Sequence, residues 1–496
     1  MTGITGSDML LAVLVPSLIA PVCFVAGRKL GRVGNGILAT VALAASTTLL
    51  AASWSAVFSE GMVTENYGLW IGLFKLDVAF VQDYLSLTIS LLIAGVSTLA
   101  AIYSIAYMSH EHNQEMYFTA LLLFVSGMIG VVLSANLILF YLFWELMLIP
   151  SYFLIAYWGT GKPRIVGFKY FMFTHAGAAS LIFGILLTFS VTGTFNLMDL
   201  PALLARADPG MLRAIMILMF IGFAVKLAIF PVHTWLPDAH AEAPTPISVL
   251  LSGVMIKTGA YAIIRMTLTL FPSELAKVAY GISILAVITM LWGGIMAFAQ
   301  TDLKRMLAYS SVSQVGYILF GIMSLTALGL GGGLFNVITH GVAKGLLFMC
   351  AGAIIYTTGI RDINRLGGLA GRMPVTAVAM LCGALSIAGT PPFAGFASEW
   401  MIFAGGFAAG YTALASVAVA ATIVTAGYYL RMIKRVFFGD CPANLANTKE
   451  APISMLLPMS ILTFLTVAFG IFAFLPLQVV YPAAEAAARI IMGVSR

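Results

Sequence analysis

About fourteen long apolar runs, divided by short polar stretches, constrain this chain more than any other feature of its sequence. A bilayer core is crossed by roughly 20 helical residues. Lipid offers no partners for peptide groups, so each crossing must satisfy its own backbone as a helix. The runs lie near 7–26, 35–57, 79–107, 115–133, 135–158, 165–192, 212–232, 246–270, 275–299, 304–325, 331–358, 374–405, 408–438 and 453–480, numbered spans 1 to 14. Only 9% of the 496 residues are charged, where a soluble protein would carry roughly 25%. The fold class expected is an all-α polytopic membrane protein. The N-terminus lacks the basic region of a cleavable signal and reads directly as the first span.

The net charge of +6 fits basic loops on one membrane face. No interleaving of basic and aromatic residues suggests nucleic acid. Arg28, Lys29, Arg32, Lys162, Arg164, Lys169, Lys304, Arg305, Arg361, Arg365, Arg372, Arg431, Lys434, Arg435 and Lys449 fall in one set of alternate loops. The opposite set holds only Lys75, Arg206, Arg213, Arg265 and Lys277. The richer set is read as cytoplasmic, which puts both termini outside, with Arg489 and Arg496 in a short amphipathic tail. The four cysteines, Cys23, Cys350, Cys382 and Cys441, have no ligand spacing and no histidine partners. They read as small apolar residues, so neither metal nor cluster is expected.

Two spans carry interruptions. Span 7 runs into KLAIFPVHTWLPD, where Pro231 and Pro237 each remove a backbone donor. Span 12 contains SIAGTPPFAGF, with Gly389, Pro391, Pro392 and Gly395. Broken backbone at membrane depth is tolerated only against a cavity or the protein interior. Breaks five spans apart point to inverted repeats with a site at their interface. The chain is therefore divided into residues 1–110 (spans 1–3), 111–272 (first five-helix repeat, spans 4–8), 273–440 (second, inverted repeat, spans 9–13) and 441–496 (span 14 and tail).

Within these apolar runs stand ionisable residues. Glu145 lies near the middle of span 5, Lys226 in span 7 just before its break, Lys257 in span 8, and Lys344 in span 11. His340 precedes Lys344 by one turn on the same face, His175 lies in span 6, and Glu399 follows the break in span 12. Each charge opposes insertion by roughly 2.5–3.5 kcal/mol. One buried Glu–Lys pair is readily explained as a clip between helices. Acids, lysines and a histidine spread over several spans at one depth read instead as a proton path. An ammonium held by a carboxylate keeps its proton; the same group left alone in a desolvated site gives it up. Glu145 is thus expected to control the proton of Lys226, with Lys257, His340 and Lys344 relaying it to Glu399.

Other polar residues read more plainly. Asp77, Asp83, His110 and His112 sit at span ends as solvated caps. The stretch HTWLPDAHAEAP, with His233, Asp238, His240 and Glu242, has no known metal spacing and is expected to be a polar loop lining an inlet. GLGGGL at 329–334 follows no strand, so it reads as helix packing and not phosphate binding.

Several long motifs now resemble one family. LFYLFWELMLIPSYFLIAYWG, FAVKLAIFPVHTWLPDAHAEAPTPISVLLSGVMIKTGAY, DLKRMLAYSSVSQVGY and SIAGTPPFAGFASEWMIF occur in the order found in the antiporter-like proton-pumping subunits of respiratory complex I. The resemblance covers about residues 80–440. It implies that Glu145, Lys226 and Lys257 correspond to the family's key residues on spans 5, 7 and 8. Glu399 stands where most paralogues and Mrp-type subunits have Lys and where M-type subunits, counterparts of mitochondrial chain 4, have Glu. Two positions depart from the pattern: Gln314 stands where many relatives have His, and Lys344 beside His340 is more typical of L and N paralogues. The resemblance implies a non-redox translocase subunit of an NADH:quinone oxidoreductase in a bacterial or archaeal plasma membrane, beside L- and N-type neighbours. Flavin, iron–sulfur clusters and quinone are expected on other subunits. The competing readings are an Mrp-like cation/proton antiporter subunit and the equivalent subunit of a ferredoxin-, F420- or hydrogenase-linked complex.

Overall fold

The computed structural model describes residues 8–74 and 76–493, without the side chains of Arg32 and Leu73. Lys75 and Arg496, counted above for orientation, lie outside the described residues. Among the described residues, thirteen helices are long and apolar enough to cross a membrane. They are span 1 (Asp8–Gly31), span 2 (Val33–Glu60), span 3 (Tyr84–Tyr107), span 4 (Gln114–Leu133), span 5 (Leu137–Trp158), span 6 (Pro163–Thr192), span 7 (Pro209–Leu227), span 8 (Thr245–Leu268), span 9 (Pro272–Ala299), span 10 (Leu303–Met323), span 11 (Ala327–Thr358), span 13 (Thr412–Phe437) and span 14 (Ile453–Ile471). Span 12 is the exception because it is split into Pro374–Ile387 and Ala394–Ala408. The all-α polytopic expectation holds, with helices at all fourteen expected places.

Three local expectations are corrected. Residues Met62–Ile71 (β1) and Leu76–Asp83 (β2) form an antiparallel hairpin, so span 3 begins at Tyr84 and not near 79. The alternating apolar residues of LDVAFVQD adjoin the apolar run of span 3 and resemble its beginning. Span 14 stops at Ile471, and a separate helix, Phe474–Ile491, carries the tail. Finally, Trp235–Glu242 is a helix and not a loop. Its Trp235, Leu236, Ala239 and His240 are buried, so it packs as the second half of a broken span 7.

Burial sorts the spans. Span 8 is wholly enclosed and spans 10 and 11 nearly so, whereas spans 1, 13 and 14 present most of their surface outward. The glycines of GLGGGL explain the close contact of span 11 with span 12. A side chain at Gly332 would strike the backbone of Met401 and Ile402, and Gly405 lies against Gly329. Small residues at helix crossings are how membrane helices approach each other without a hydrophobic drive.

One end motif occurs twice. Asn136 caps span 5 by accepting from Leu139 N, and Leu137 N and Leu197 N bond Phe195 O and Ala135 O across a short bridge. Asp302 caps span 10 by accepting from Arg305 N, and Leu303 N and Ile363 N bond Arg361 O and Thr301 O in the same manner.

The breaks recur with the same spacing. Span 7 ends at Ala228, a non-glycine residue at φ +62°. The freed groups are satisfied from elsewhere: Val225 O accepts from Trp235 Nε1 at 2.9 Å, and Phe230 N donates to Thr289 Oγ1 at 3.1 Å. At the second break Gly389 has φ +64° and lies against the Glu399 carboxylate, where a side chain would collide with Oε2. Glycine is required there by both conformation and space.

Candidate functional site

The central element is span 8, and its helix is irregular. Two π-helical stretches, Leu251–Met255 and Ile263–Leu268, flank a short α segment, Ile256–Ala262, that carries Lys257. Single π turns inside α-helices accompany functional sites because they loosen the regular ladder. Here Lys257 Nζ reaches back to donate to Ser252 O at 2.5 Å and lies 2.5 Å from His340 Nδ1 on span 11. Lys257 and His340 are both fully buried. Ser252 Oγ in turn bonds Ser311 Oγ of span 10 at 2.7 Å.

His340 and Lys344 share a face of span 11, as their spacing requires, but turn to different partners. His340 takes Lys257, while Lys344 Nζ donates to Leu307 O and to Tyr429 OH, each at 2.9 Å. Lys344 also lies 5.5 Å from the Tyr429 ring centre. Glu399 is buried, and its Oε1 accepts from Gln314 Nε2 at 3.3 Å. Gln314 Oε1 accepts from Asn336 Nδ2 at 3.2 Å, and Thr339 joins Asn336 to Ser398 through contacts of 3.3 Å.

The surroundings of Lys226 and Glu145 are arranged otherwise. Lys226 is 1% exposed, and its Nζ has no hydrogen-bond partner among the described residues. It stands 5.3 Å from the ring centre of Trp144, the residue before Glu145. A cation over an indole face gains some of what it lost in leaving water. The direct Glu145–Lys226 pair expected from the sequence is not made. Glu145 instead approaches His175 Nδ1 at 3.7 Å, and His175 is half exposed on the outer face of the bundle. Span 5 turns Trp144 inward, and the Glu145 carboxylate is mostly buried, with Oε2 towards His175 and Oε1 buried without a hydrogen-bond partner among the described residues.

Several flanking residues also differ from expectation. Asp83 is no solvated cap: it forms a capping box with Ser86 and bonds Arg265 Nη2 at 2.6 Å. Burial works against its charge, but the Arg265 guanidinium and the Ser86 bonds outweigh that and hold its carboxyl below the usual range. Arg265 and Lys304, counted as loop charges, are thereby drawn into the protein, Lys304 donating to Ala243 O. Arg361 donates to Ala241 O at 2.8 Å, while Asp238 pairs with Lys169 at 2.7 Å and Arg305 at 3.1 Å. These cations hold the half-helix Trp235–Glu242, whose carbonyl end attracts positive charge.

Sequence reasoning found the ionisable residues and missed what joins them. Ser252, Ser310, Ser311, Asn336, Thr339, Ser398, Tyr428 and Tyr429 are uncharged and cost little to insert, so no anomaly marked them. The signal present was spacing: AYSSVSQ and NVITH set small polar residues on single faces of otherwise apolar helices.

Two broken helices around a buried file of lysines, histidine and acid define a polytopic membrane protein of the antiporter-like kind. A family model described as NADH:quinone oxidoreductase/Mrp antiporter, TM, matches residues 134–425, and one described as NADH-Ubiquinone oxidoreductase (complex I), chain 5 N-terminus, matches residues 69–118. The chain belongs to this NADH:quinone oxidoreductase/Mrp antiporter family of membrane subunits. It is 31% identical over 472 residues to F(420)H(2) dehydrogenase subunit M of Methanosarcina mazei, covering 93% of this chain and 94% of the relative. It is 35% identical over 411 residues to NADH-quinone oxidoreductase subunit M of Pseudomonas aeruginosa, covering 80% of each. Among solved structures, a chain of the Mrp complex from a Dietzia species matches with a TM-score of 0.88 at 25% identity, covering 100% of both chains.

Proposed function

We propose that this chain is the M-type proton-translocating subunit of a complex I-type oxidoreductase, and that Glu145, Lys226, Lys257, His340, Lys344 and Glu399 carry the proton. The observation that bears most weight is the contact of Lys257 with His340, buried and 2.5 Å long, beside a buried Lys226 without a hydrogen-bond partner among the described residues and a hydrogen-bonded Glu399. Two basic groups so close do not both hold a proton, because like charges at that distance repel strongly. They share one, and a shared proton moves with small displacements of either helix. Lys226 is the upstream donor: when Glu145 approaches, it keeps its proton, and when Glu145 turns to the rim, it releases it towards Lys257. Glu399 is the outward acceptor.

The repeats 111–272 and 273–440 are the two moving units of this reading, set in a bacterial or archaeal plasma membrane with both termini outside. Electron carriers belong to other polypeptides, and L- and N-type subunits are its neighbours. Glu399 favours an M-type subunit over an Mrp antiporter. The likeness to the F(420)H(2) dehydrogenase subunit keeps a second electron donor open, which identification of co-purifying peripheral subunits decides. Dependence of transport on sodium separates the antiporter. The test of the main reading is Lys226→Ala in the whole assembly, reconstituted in proteoliposomes. Assembly is expected to survive and proton transfer per electron pair to fall; an unchanged ratio refutes the relay.

A further inference from the structure

Two sets of hydrogen bonds run towards Glu399, and their chemistry differs. One is made of carboxamides: Asn336 Nδ2 donates to Gln314 Oε1, and Gln314 Nε2 donates to Glu399 Oε1. A carboxamide donates through nitrogen and accepts through oxygen, and it passes a proton on only by becoming its unfavourable imidic acid form. This set fixes the carboxylate in place without conducting to it.

The other set is made of hydroxyls. Lys344 Nζ donates to Tyr429 OH at 2.9 Å, Tyr429 OH shares a bond with Ser310 Oγ at 2.9 Å, and Tyr428 OH donates to Ser310 Oγ at 2.8 Å. All four residues are buried. Ser310 lies one turn before Gln314 on the same face of span 10. Gln314 in turn holds Glu399, so the hydroxyl set and the acid meet along one face of span 10.

We infer that Tyr429, Ser310 and Tyr428 form a proton-carrying branch between Lys344 and Glu399, an inference that rests on the translocation reading above. At each oxygen one O–H bond forms as another breaks. The Lys344 ammonium becomes an amine, and the Glu399 carboxylate, reached from Tyr428 through bridging water, becomes a carboxylic acid. No electrons move. Because Tyr428 donates towards Ser310 in the structure, its hydroxyl turns before it accepts, and the reverse turns reset the branch. Neighbouring amides position the acid while the hydroxyls deliver to it.

The experiment measures protons transferred per electron pair by the reconstituted assembly running on its own donor. It compares wild type with Lys226→Ala, Lys344→Ala, Tyr428→Phe, Tyr429→Phe, Ser310→Ala and Ser310→Thr. Phenylalanine keeps each ring, including the one Lys344 lies against, and removes only the hydroxyl. The two Phe variants and Ser310→Ala are expected to lose the same share of proton yield as Lys344→Ala, while Ser310→Thr retains the wild-type yield. If the Phe variants and Ser310→Ala pump like wild type while Lys226→Ala does not, the branch is overturned and translocation stands. If Lys226→Ala also pumps like wild type, translocation falls and the branch with it. Should a Phe variant fail to assemble, the Ser310→Ala and Ser310→Thr pair decides alone.

Discussion

The end motifs of spans 5 and 10 are built alike, yet the interiors behind them are not. Behind Asn136, the first half holds Lys226 with no hydrogen bond among the described residues and Glu145 with one oxygen towards His175 and the other buried without a partner. Behind Asp302, the second half holds Lys344 and Glu399 in a lattice of Gln314, Asn336, Tyr429 and Ser310. Lys257 and His340 join the two. Unsatisfied polar groups in a dry interior cost about 1–3 kcal/mol each, and more when charged. Such a group persists where an alternative partner is within reach, and a fully bonded lattice persists where geometry must not change. In the proposed relay, one half would switch and the other conduct.

The largest expected effect bears on the switching half. Glu145→Ala removes the acid that the relay gives to Lys226, so electron transfer should continue in an intact assembly with most coupled pumping lost. Equal pumping in wild type and variant would erase the proposed asymmetry. Glu399→Gln comes next. It keeps the shape and a hydrogen bond to Gln314 but cannot take up a proton, so the proton yield per electron pair should fall while assembly is unaffected. A wild-type yield would remove Glu399 from the path.

A smaller effect is expected from Asn336→Ala, which takes away the donor to Gln314 Oε1. If the amides only position Glu399, the yield should drop by a few-fold at most, and Asn336→Gln should recover part of it. A loss as complete as that of Glu399→Gln would mean that the amides conduct after all.

The smallest concerns the frame. Asp83→Asn keeps a cap for span 3 but gives up the ionic bond to Arg265, worth about 2 kcal/mol for a hydrogen bond between charged groups, and a lower melting temperature in detergent should follow. The sign with pH is fixed by the depressed carboxyl of Asp83. Its stabilisation is complete above the unfolded value of roughly 3.9 and disappears as pH falls through the lower folded value. The acid side of the wild-type stability profile should therefore be flattened in Asp83→Asn, and superimposable profiles would exclude the role.

Much of the fold was legible because a bilayer punishes ambiguity: apolar length, Pro231, Pro391 and Pro392 leave few alternatives to broken helices. The hairpin was not, since the short alternating strand of Leu76–Asp83 adjoins a longer apolar run and looks like its beginning. The π turns around Lys257 were not either, because no residue type in LSGVM or IIRMTL demands them. At the site, the ionisable residues stood out by their insertion cost, but their partners did not. Lys257 and His340 meet across 83 positions of sequence, and spacing along one helix says nothing about which other helix it faces. The expected Glu145–Lys226 contact failed for the same reason: depth was readable, while rotation of span 5 about its axis was not.

The relay requires that the buried groups be joined by water when the whole assembly sits in lipid. A high-resolution map of the intact complex in nanodiscs measures this directly. Ordered water should run from Lys226 past Lys257 and His340 to Lys344 and on to Glu399. Dry apolar packing that seals Lys226 from Lys257, or Tyr428 from Glu399, would contradict it.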